Sequence, residues 1–528
     1  MLSTPPDATT VPIGAAPSVS VGARLWKFGG RTRAEAHANA TAGKLALGAI
    51  VTLSLLVVVM AANRPSLLSP TTHIGFFPHW MAGPLGGLWP GLTNNGTTLK
   101  YWFSGSVVVM YASYVVALRH AARMPARWVI GAIVALHCIF VLSPPLALTD
   151  VFNYINYGRM EIVHHLNPYT SIPIVEPHSD PSFILSNWHQ LFSPYGPLFT
   201  MLTFLVVPLG VAGSFWALKL ILAATSLSTI WLVWKCAKLL GRDPLTAIVL
   251  VGCNPIVLVW GLGGDHNDFL LLAFVMLGFY LLLRAHDQRM PNEEQPAAGA
   301  AQEGAPLSSV ARLRGWLLPL SALEIGAGVA FVVGAGIKAS GAVLIPVVLA
   351  SLLRKPRTLT QMGLGMAFAA VIIAALSLLA FGLHIPDLST QGKLVTNESV
   401  PNLIGLAIGL GGETEGLNHV MKAVLTASLL ACCWMAWRRR ESITASAWAS
   451  VALLLTLSWV LPWYVLWVLP LAALSDSRRM RAAVLAIGVY LIVAWAPVSA
   501  LVWNDIGFHP EKTSLGRLHA RAVKELLN

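Results

Sequence analysis

Apolar runs long enough to cross a lipid bilayer recur along most of this 528-residue chain, separated by short clusters of Lys and Arg. A spanning helix needs about 20 apolar residues, and basic clusters mark cytoplasmic ends. That alternation confines the chain to an all-α polytopic integral membrane protein. Composition agrees. Charged residues make up only 11% and hydrophobic residues 56%, with a mean hydropathy of +0.67. A soluble domain carries about a quarter charged residues, so a chain this apolar lacks the polar surface to face water alone. The net charge of +12 follows the topology clusters and does not point to nucleic acid. Cys138, Cys236, Cys253, Cys432 and Cys433 lie in or beside apolar runs without metal-ligand or redox spacing, and read as structural thiols.

Arg24, Lys27, Arg31, Arg33 and Lys44 place residues 1–44 inside as a basic tail. Spans are then expected near 45–63 (out), 101–119 (in) and 128–148 (out), followed by a large extracytoplasmic loop over 150–197. Two runs follow, 198–213 and 215–240. The basic end at Lys235, Lys238 and Arg242 stays inside only if the first is partial or re-entrant. Further spans are expected up to residue 476 and, last, over 482–503, about thirteen in all plus the partial helix. Residues 285–315 read as a flexible cytoplasmic loop. Residues 504–528 form a C-terminal tail that this count leaves outside despite its basic residues. The stretch 45–503 is thus one transmembrane domain. No internal repeat or inverted hydropathy symmetry is evident, which disfavours a secondary transporter.

This layout gathers the unusual polar residues at the outer ends of spans: Asp150, Arg159, Asp265, His266, Asn267, Asp268, Lys338, Lys393, Trp463 and Tyr464. Lys219 and Lys422 lie near the same level. Cations outside run against the topology rule. Either an anionic ligand or snorkelling to lipid headgroups accounts for them. Asp150 opens Asp-Val-Phe-Asn-Tyr-Ile-Asn-Tyr-Gly-Arg and is either a helix cap or a functional carboxylate. Tyr154 and Tyr157 share one face if that segment is helical. The packed turn Asp265-His266-Asn267-Asp268 would cap a helix, orient a sugar or hold a metal, though no zinc-type spacing is present. Trp463 and Tyr464 read as an aromatic belt or a sugar platform. Glu324 and His137 sit deep in apolar runs without an evident partner.

Taken in order, several stretches resemble one family. They are Thr149-Asp150-Val151, Tyr157-Gly158-Arg159, Asn167-Pro168-Tyr169, Ser193-Pro194-Tyr195-Gly196-Pro197, Asn254-Pro255, Gly264 to Asp268, Lys338 and Pro462-Trp463-Tyr464-Val465-Leu466-Trp467. The ordered set resembles the GT-C superfamily, specifically the α-(1→6)-mannopyranosyltransferases of the lipomannan and lipoarabinomannan mannan backbone, from about residue 130 to 476. One departure stands out: the family reads Gly-Gly-His-Asn-Asp, whereas here Asp265 precedes His266, which leaves sugar and acceptor choice open.

The resemblance implies a GT-C glycosyltransferase fold and an inverting transfer of mannose from polyprenyl-phosphate-mannose to an α-mannan or lipomannan acceptor. The reaction would occur on the extracytoplasmic face of the cell membrane and form an α-(1→6) linkage. It further implies Asp150 as catalytic base and Lys338, Arg159 and His266 as donor-phosphate candidates. Tyr154, Tyr157, Asn167, Tyr169, Tyr195, Asp265, Asn267, Asp268, Trp463 and Tyr464 would bind sugar or acceptor. A phosphate leaving group needs charge stabilisation more than protonation, so no obligatory metal or cofactor is expected. Two rivals remain at this point: a GT-C transferase using another polyprenyl-phosphate sugar such as arabinose, or another linkage; and a transporter or lipid flippase.

Overall fold

The computed structural model describes residues 33–63, 78–88, 96–146, 150–289 and 320–527. Most of the expected basic tail, Thr149 and residues 290–315 of the expected 285–315 loop lie outside these residues.

Among the described residues helices are the only regular secondary structure, with no β-strand. Six stretches are long and apolar enough to cross a membrane: Ala40–Ala62, Thr97–Arg123, Pro197–Leu239, Asp268–Asp287, Pro356–Phe381 and Glu415–Arg439. The pair Arg478–Trp495 and Ser499–Asp505, bent by 74°, makes a seventh if counted as one span. Five further apolar helices are shorter, among them Ala126–Val141, Ala322–Ile337 and Ser442–Thr456. The two runs expected as a re-entrant piece and a span form one 43-residue stretch, Pro197–Leu239. It is interrupted by a 3-10 turn at Val207–Leu209 with Gly210 at φ +71°. Pro208 supplies no amide hydrogen there, so the helix tightens at that turn.

Short polar contacts tie the basic helix ends to one another. Arg242 meets Asp476 at 2.9 Å, and Arg289 meets the buried Glu324 at 2.6 Å while donating to Thr358 at 3.0 Å. Arg354 lies over the Trp437 ring. Glu324 therefore has a partner, and His137 has one too, a bond to Ser226 at 3.0 Å. Both groups join neighbouring helices. The C-terminal residues sit with the polar motifs instead: the Gln190 amide donates to the Leu526 carbonyl at 3.1 Å. The segment expected as a tail carries the helix Ser514–Leu527.

With no hydrophobic drive between helices in lipid, close backbone approach takes over the work of packing. Helices Ala322–Ile337 and Pro356–Phe381 cross on glycines. A Cβ on Gly328 would stand 2.1 Å from the Met362 carbonyl oxygen, and one on Gly365 2.0 Å from that of Ile325. Neither backbone can yield without unwinding a turn. Gly365→Ala is expected to lower the thermal unfolding midpoint in detergent, by about 1–3 kcal/mol of overpacking. Gly363→Ala on the same helix, where nothing lies within 4 Å, should leave it unchanged.

Candidate active site

The site begins at the helix Asp150–His164, with Asp150 in its first turn. Tyr154 and Tyr157 follow on the same side, as their spacing requires. The Tyr157 hydroxyl donates to the Leu191 carbonyl at 2.8 Å, and the Tyr154 ring packs edge-on against Tyr195 and Phe199, each at 4.8 Å. Gly196 explains why Tyr195 stands where it does. Its amide donates to the Ile337 carbonyl at 3.0 Å, and a Cβ there would lie 2.2 Å from the Gly336 oxygen. Only glycine permits this approach, which sets Tyr195 beside the backbone that leads into Lys338.

The hairpin around Gly264-Asp265-His266 forms the floor. Asn254 caps the break before it by accepting from the Ile256 amide at 2.9 Å, and a π-helical turn, Val257–Leu262, carries the chain upward. Asp265 then adopts φ +57°, an uncommon conformation for a residue with a Cβ. What holds it is the fully buried Lys219, whose ammonium donates to both Asp265 oxygens at 2.9 and 3.2 Å. The next residue, His266, is completely buried and stacks on Trp463 with centroids 3.5 Å apart. Its Nδ1 stands 3.4 Å from Asp150 Oδ2. Asn267 donates its amide to the Tyr154 hydroxyl at 3.4 Å.

Asp268, also fully buried, accepts from Lys338 at 2.8 and 3.0 Å and from the Trp467 indole at 2.6 Å. The Lys338 ammonium further lies 5.6 Å above the Tyr464 ring and 5.8 Å above that of Trp467. Three distant segments thus converge on one ion pair.

Above this floor lies a pocket of about 290 Å³. Asp150, Tyr154, Tyr157, Tyr195, Lys338, Trp463 and Tyr464 line it, all expected from the sequence. His266, Asn267 and Asp268 lie behind those side chains and position them. Asp265 turns to Lys219. Three more expected residues serve elsewhere. Arg159 forms a bidentate pair with Asp180, at 2.7 Å for its Nη2, and does not line the pocket. Asn167 donates to the Phe381 carbonyl at 2.8 Å, and the Tyr169 hydroxyl to the Tyr195 carbonyl at 2.8 Å. Sequence reasoning missed Trp188, Gln391, Leu394, Trp459, Trp495, Val523 and Leu527, which also line it. The Trp459 segment carried a readable aromatic signal, but the others had none. Among the described residues no group of three or more His, Cys, Asp or Glu side chains is placed to hold a metal ion.

The pocket's side wall is a polar loop, Pro173 to Leu191. Burial pushes the Asp180 carboxyl up, but Arg159, the amide and hydroxyl of Ser182, and His164 outweigh it and hold it well below the usual carboxylate range. Glu176 shows the opposite behaviour: burial, reinforced by Asp180, pushes its carboxyl up to about 8.

The family model described as α-(1→6)-mannopyranosyltransferase, N-terminal domain, matches residues 42–354, and that described as MptB C-terminal domain matches 397–509. The chain belongs to the α-(1→6)-mannopyranosyltransferase family. This family of glycosyltransferases has curated members similar to the chain. α-(1→6)-Mannopyranosyltransferase A of Mycobacterium tuberculosis is 25% identical over 388 residues, 68% of this chain and 67% of the relative. A probable α-(1→6)-mannopyranosyltransferase of Mycolicibacterium smegmatis is 26% identical over 374 residues, 66% and 65% of the two chains. α-(1→6)-Mannopyranosyltransferase A of Corynebacterium glutamicum is 24% identical over 367 residues, 61% of this chain and 66% of the relative. The matches therefore span about two thirds of these relatives' lengths. No solved structure matches the chain.

Glu176 offers a direct check on the loop. Its carboxyl keeps its proton in the folded state up to about 8, whereas the unfolded chain loses it near the ordinary value of 4.5. The unfolded state binds fewer protons between those values, so stability falls as pH rises through that window and levels above it. Glu176→Gln should remove this fall. Its unfolding midpoint should exceed that of the parent by a margin that grows from pH 5 to 8, and parallel profiles would contradict the assignment.

Proposed function

We propose that this protein is a GT-C-type mannosyltransferase that moves mannose from polyprenyl-phosphate-mannose to an α-mannan or lipomannan acceptor. Transfer takes place on the extracytoplasmic face of the cell membrane, inverts the anomeric centre and forms an α-(1→6) linkage. The observation that carries the reading is a carboxylate and an ammonium, Asp150 and Lys338, lining one aromatic pocket among apolar helices. Membership of an α-(1→6)-mannopyranosyltransferase family supplies the sugar and the linkage.

An acceptor hydroxyl is far too weak an acid to ionise at neutral pH, so a base within hydrogen-bond reach must take its proton in the transition state. Asp150 has the position for this role, with its carboxylate facing the pocket and the His266 ring behind it. As the anomeric carbon gains the acceptor oxygen, its bond to the phosphate oxygen breaks and negative charge collects on the lipid phosphate. Lys338 meets that charge from a fixed position, held by Asp268 and two aromatic rings. A preorganised cation away from bulk water stabilises such charge strongly. It supplies the positive charge that a divalent ion would otherwise bring, so transfer proceeds without an obligatory metal. Tyr154, Tyr157, Tyr195, Trp463 and Tyr464 offer rings and hydroxyls to the sugars. The outer-face assignment draws on the basic helix ends, which contact one another and not the pocket.

Proteoliposomes supplied with labelled polyprenyl-phosphate-mannose and a short α-(1→6)-mannoside test the reading. The wild type should yield a new α-(1→6) product. Asp150→Asn should lower turnover by roughly 10²–10⁴-fold at unchanged expression; equal activity at pH 7 would remove Asp150 as base. Lys338→Ala should raise the donor KM about 10- to 100-fold, the loss of one charge-assisted bond, with the acceptor KM little changed. Added chelator should leave the rate unchanged. Transfer from polyprenyl-phosphate-arabinose alone would keep the mechanism and replace the sugar.

A further inference from the structure

One wall of the pocket lies beyond both family matches. The helix Ser514–Leu527 starts after residue 509, where the second match ends. Val523 and Leu527, four residues apart and so on one face, stand in the pocket lining with Leu394, Leu461 and Trp495. Leu515, His519 and Leu526 continue the partly buried face, whereas Arg517, Arg521 and Lys524 are exposed on the other. Both ends of the helix are pinned to distant parts of the chain. The Leu526 carbonyl accepts from Gln190, and the Leu515 side chain lies 3.3 Å from where a Cβ on Gly412 would stand. The result is an apolar cover facing Asp150 and Lys338 across the cavity.

The chemistry gives such a cover a task. A carboxylate that takes a proton from a sugar hydroxyl takes one equally well from water, and water outnumbers any acceptor. In the unwanted reaction the water oxygen bonds to the anomeric carbon and its proton passes to Asp150. The carbon–oxygen bond to phosphate breaks with its electron pair on the lipid phosphate, releasing free mannose. Asp150 itself does not distinguish the two nucleophiles. Exclusion of water does.

We propose that the helix Ser514–Leu527 is the water-excluding roof of the active site. Val523 and Leu527 set how the mannosyl group divides between acceptor sugar and water. The inference rests on the donor and base assigned above, and it adds specificity determinants outside the family's matched regions.

The decisive quantity is the ratio of free mannose to mannoside product, because loss of folded enzyme lowers both together and leaves the ratio alone. Full-length Val523→Asn and Leu527→Asn in proteoliposomes should raise that ratio about fivefold or more. Leu518→Asn, on the outer face of the same helix, should not change it. A ratio within about twofold of the parent in the pocket-facing variants, however far total turnover falls, overturns the roof. A second measurement needs no substrate. Leu461→Cys places a thiol in the pocket, and its labelling by a charged, water-soluble maleimide, counted above the parent chain, should quicken about fivefold when Leu527→Asn is added. Equal labelling rates overturn the roof independently. A wild type that releases mannose to neither acceptor nor water overturns the donor assignment instead, and the labelling rates then decide the roof alone.

Discussion

An ammonium and a carboxylate at the pocket floor hold this site together. Lys338 and Asp268 lie 70 positions apart, and their contact, joined by the Trp467 indole, brings a helix turn, a hairpin and an aromatic segment to one point. Charges are costly to bring out of water, and removing one partner leaves the other uncompensated. The pair therefore favours joint assembly of the three segments. It also moderates the chemistry assigned to Lys338. A lysine already matched by a carboxylate binds an incoming phosphate less tightly than a bare one would, which in the proposed reaction would favour release of the leaving group.

Beneath it a second pair does a different job. Lys219 and Asp265 are both almost wholly buried and hold a left-handed turn that a residue with a Cβ rarely adopts. That turn delivers His266 face-to-face onto Trp463, with Asp150 on its edge. Asp265 is thus matched from within the bundle, by a lysine on the long Pro197–Leu239 stretch.

Much of this was legible in the sequence, for physical reasons. Apolar run length and basic ends locate helices because lipid leaves few other options, and the ordered polar motifs brought Asp150, Lys338, Tyr195 and Trp463 to one pocket. What misled was treating every motif residue as a ligand contact. Arg159 is drawn to Asp180, which nothing in local spacing announces, and Asn167 and Tyr169 use their polar atoms on backbone carbonyls. The sequence reading parts the two runs at 213 and 215, whereas the structure breaks the stretch earlier, at Val207–Leu209, and resumes the helix at Gly210. The wall at Val523 and Leu527 was hidden for another reason. Its few apolar residues stand in a polar stretch, and their partners lie more than a hundred residues away at Gln190 and Gly412.

The helix Pro356–Phe381 falls between the two family matches, which end at 354 and resume at 397. Most of its surface faces outward, and the Gly365 crossing is its tightest tie to the bundle. Lipid asks of an outward side chain only that it be apolar, so almost any Leu, Ile, Val, Ala or Phe satisfies such a position. Sequence identity can drain from a helix like this over evolutionary time without a change in shape. The gap between the two matches, residues 355–396, thus coincides with a helix whose outward surface accepts many apolar sequences.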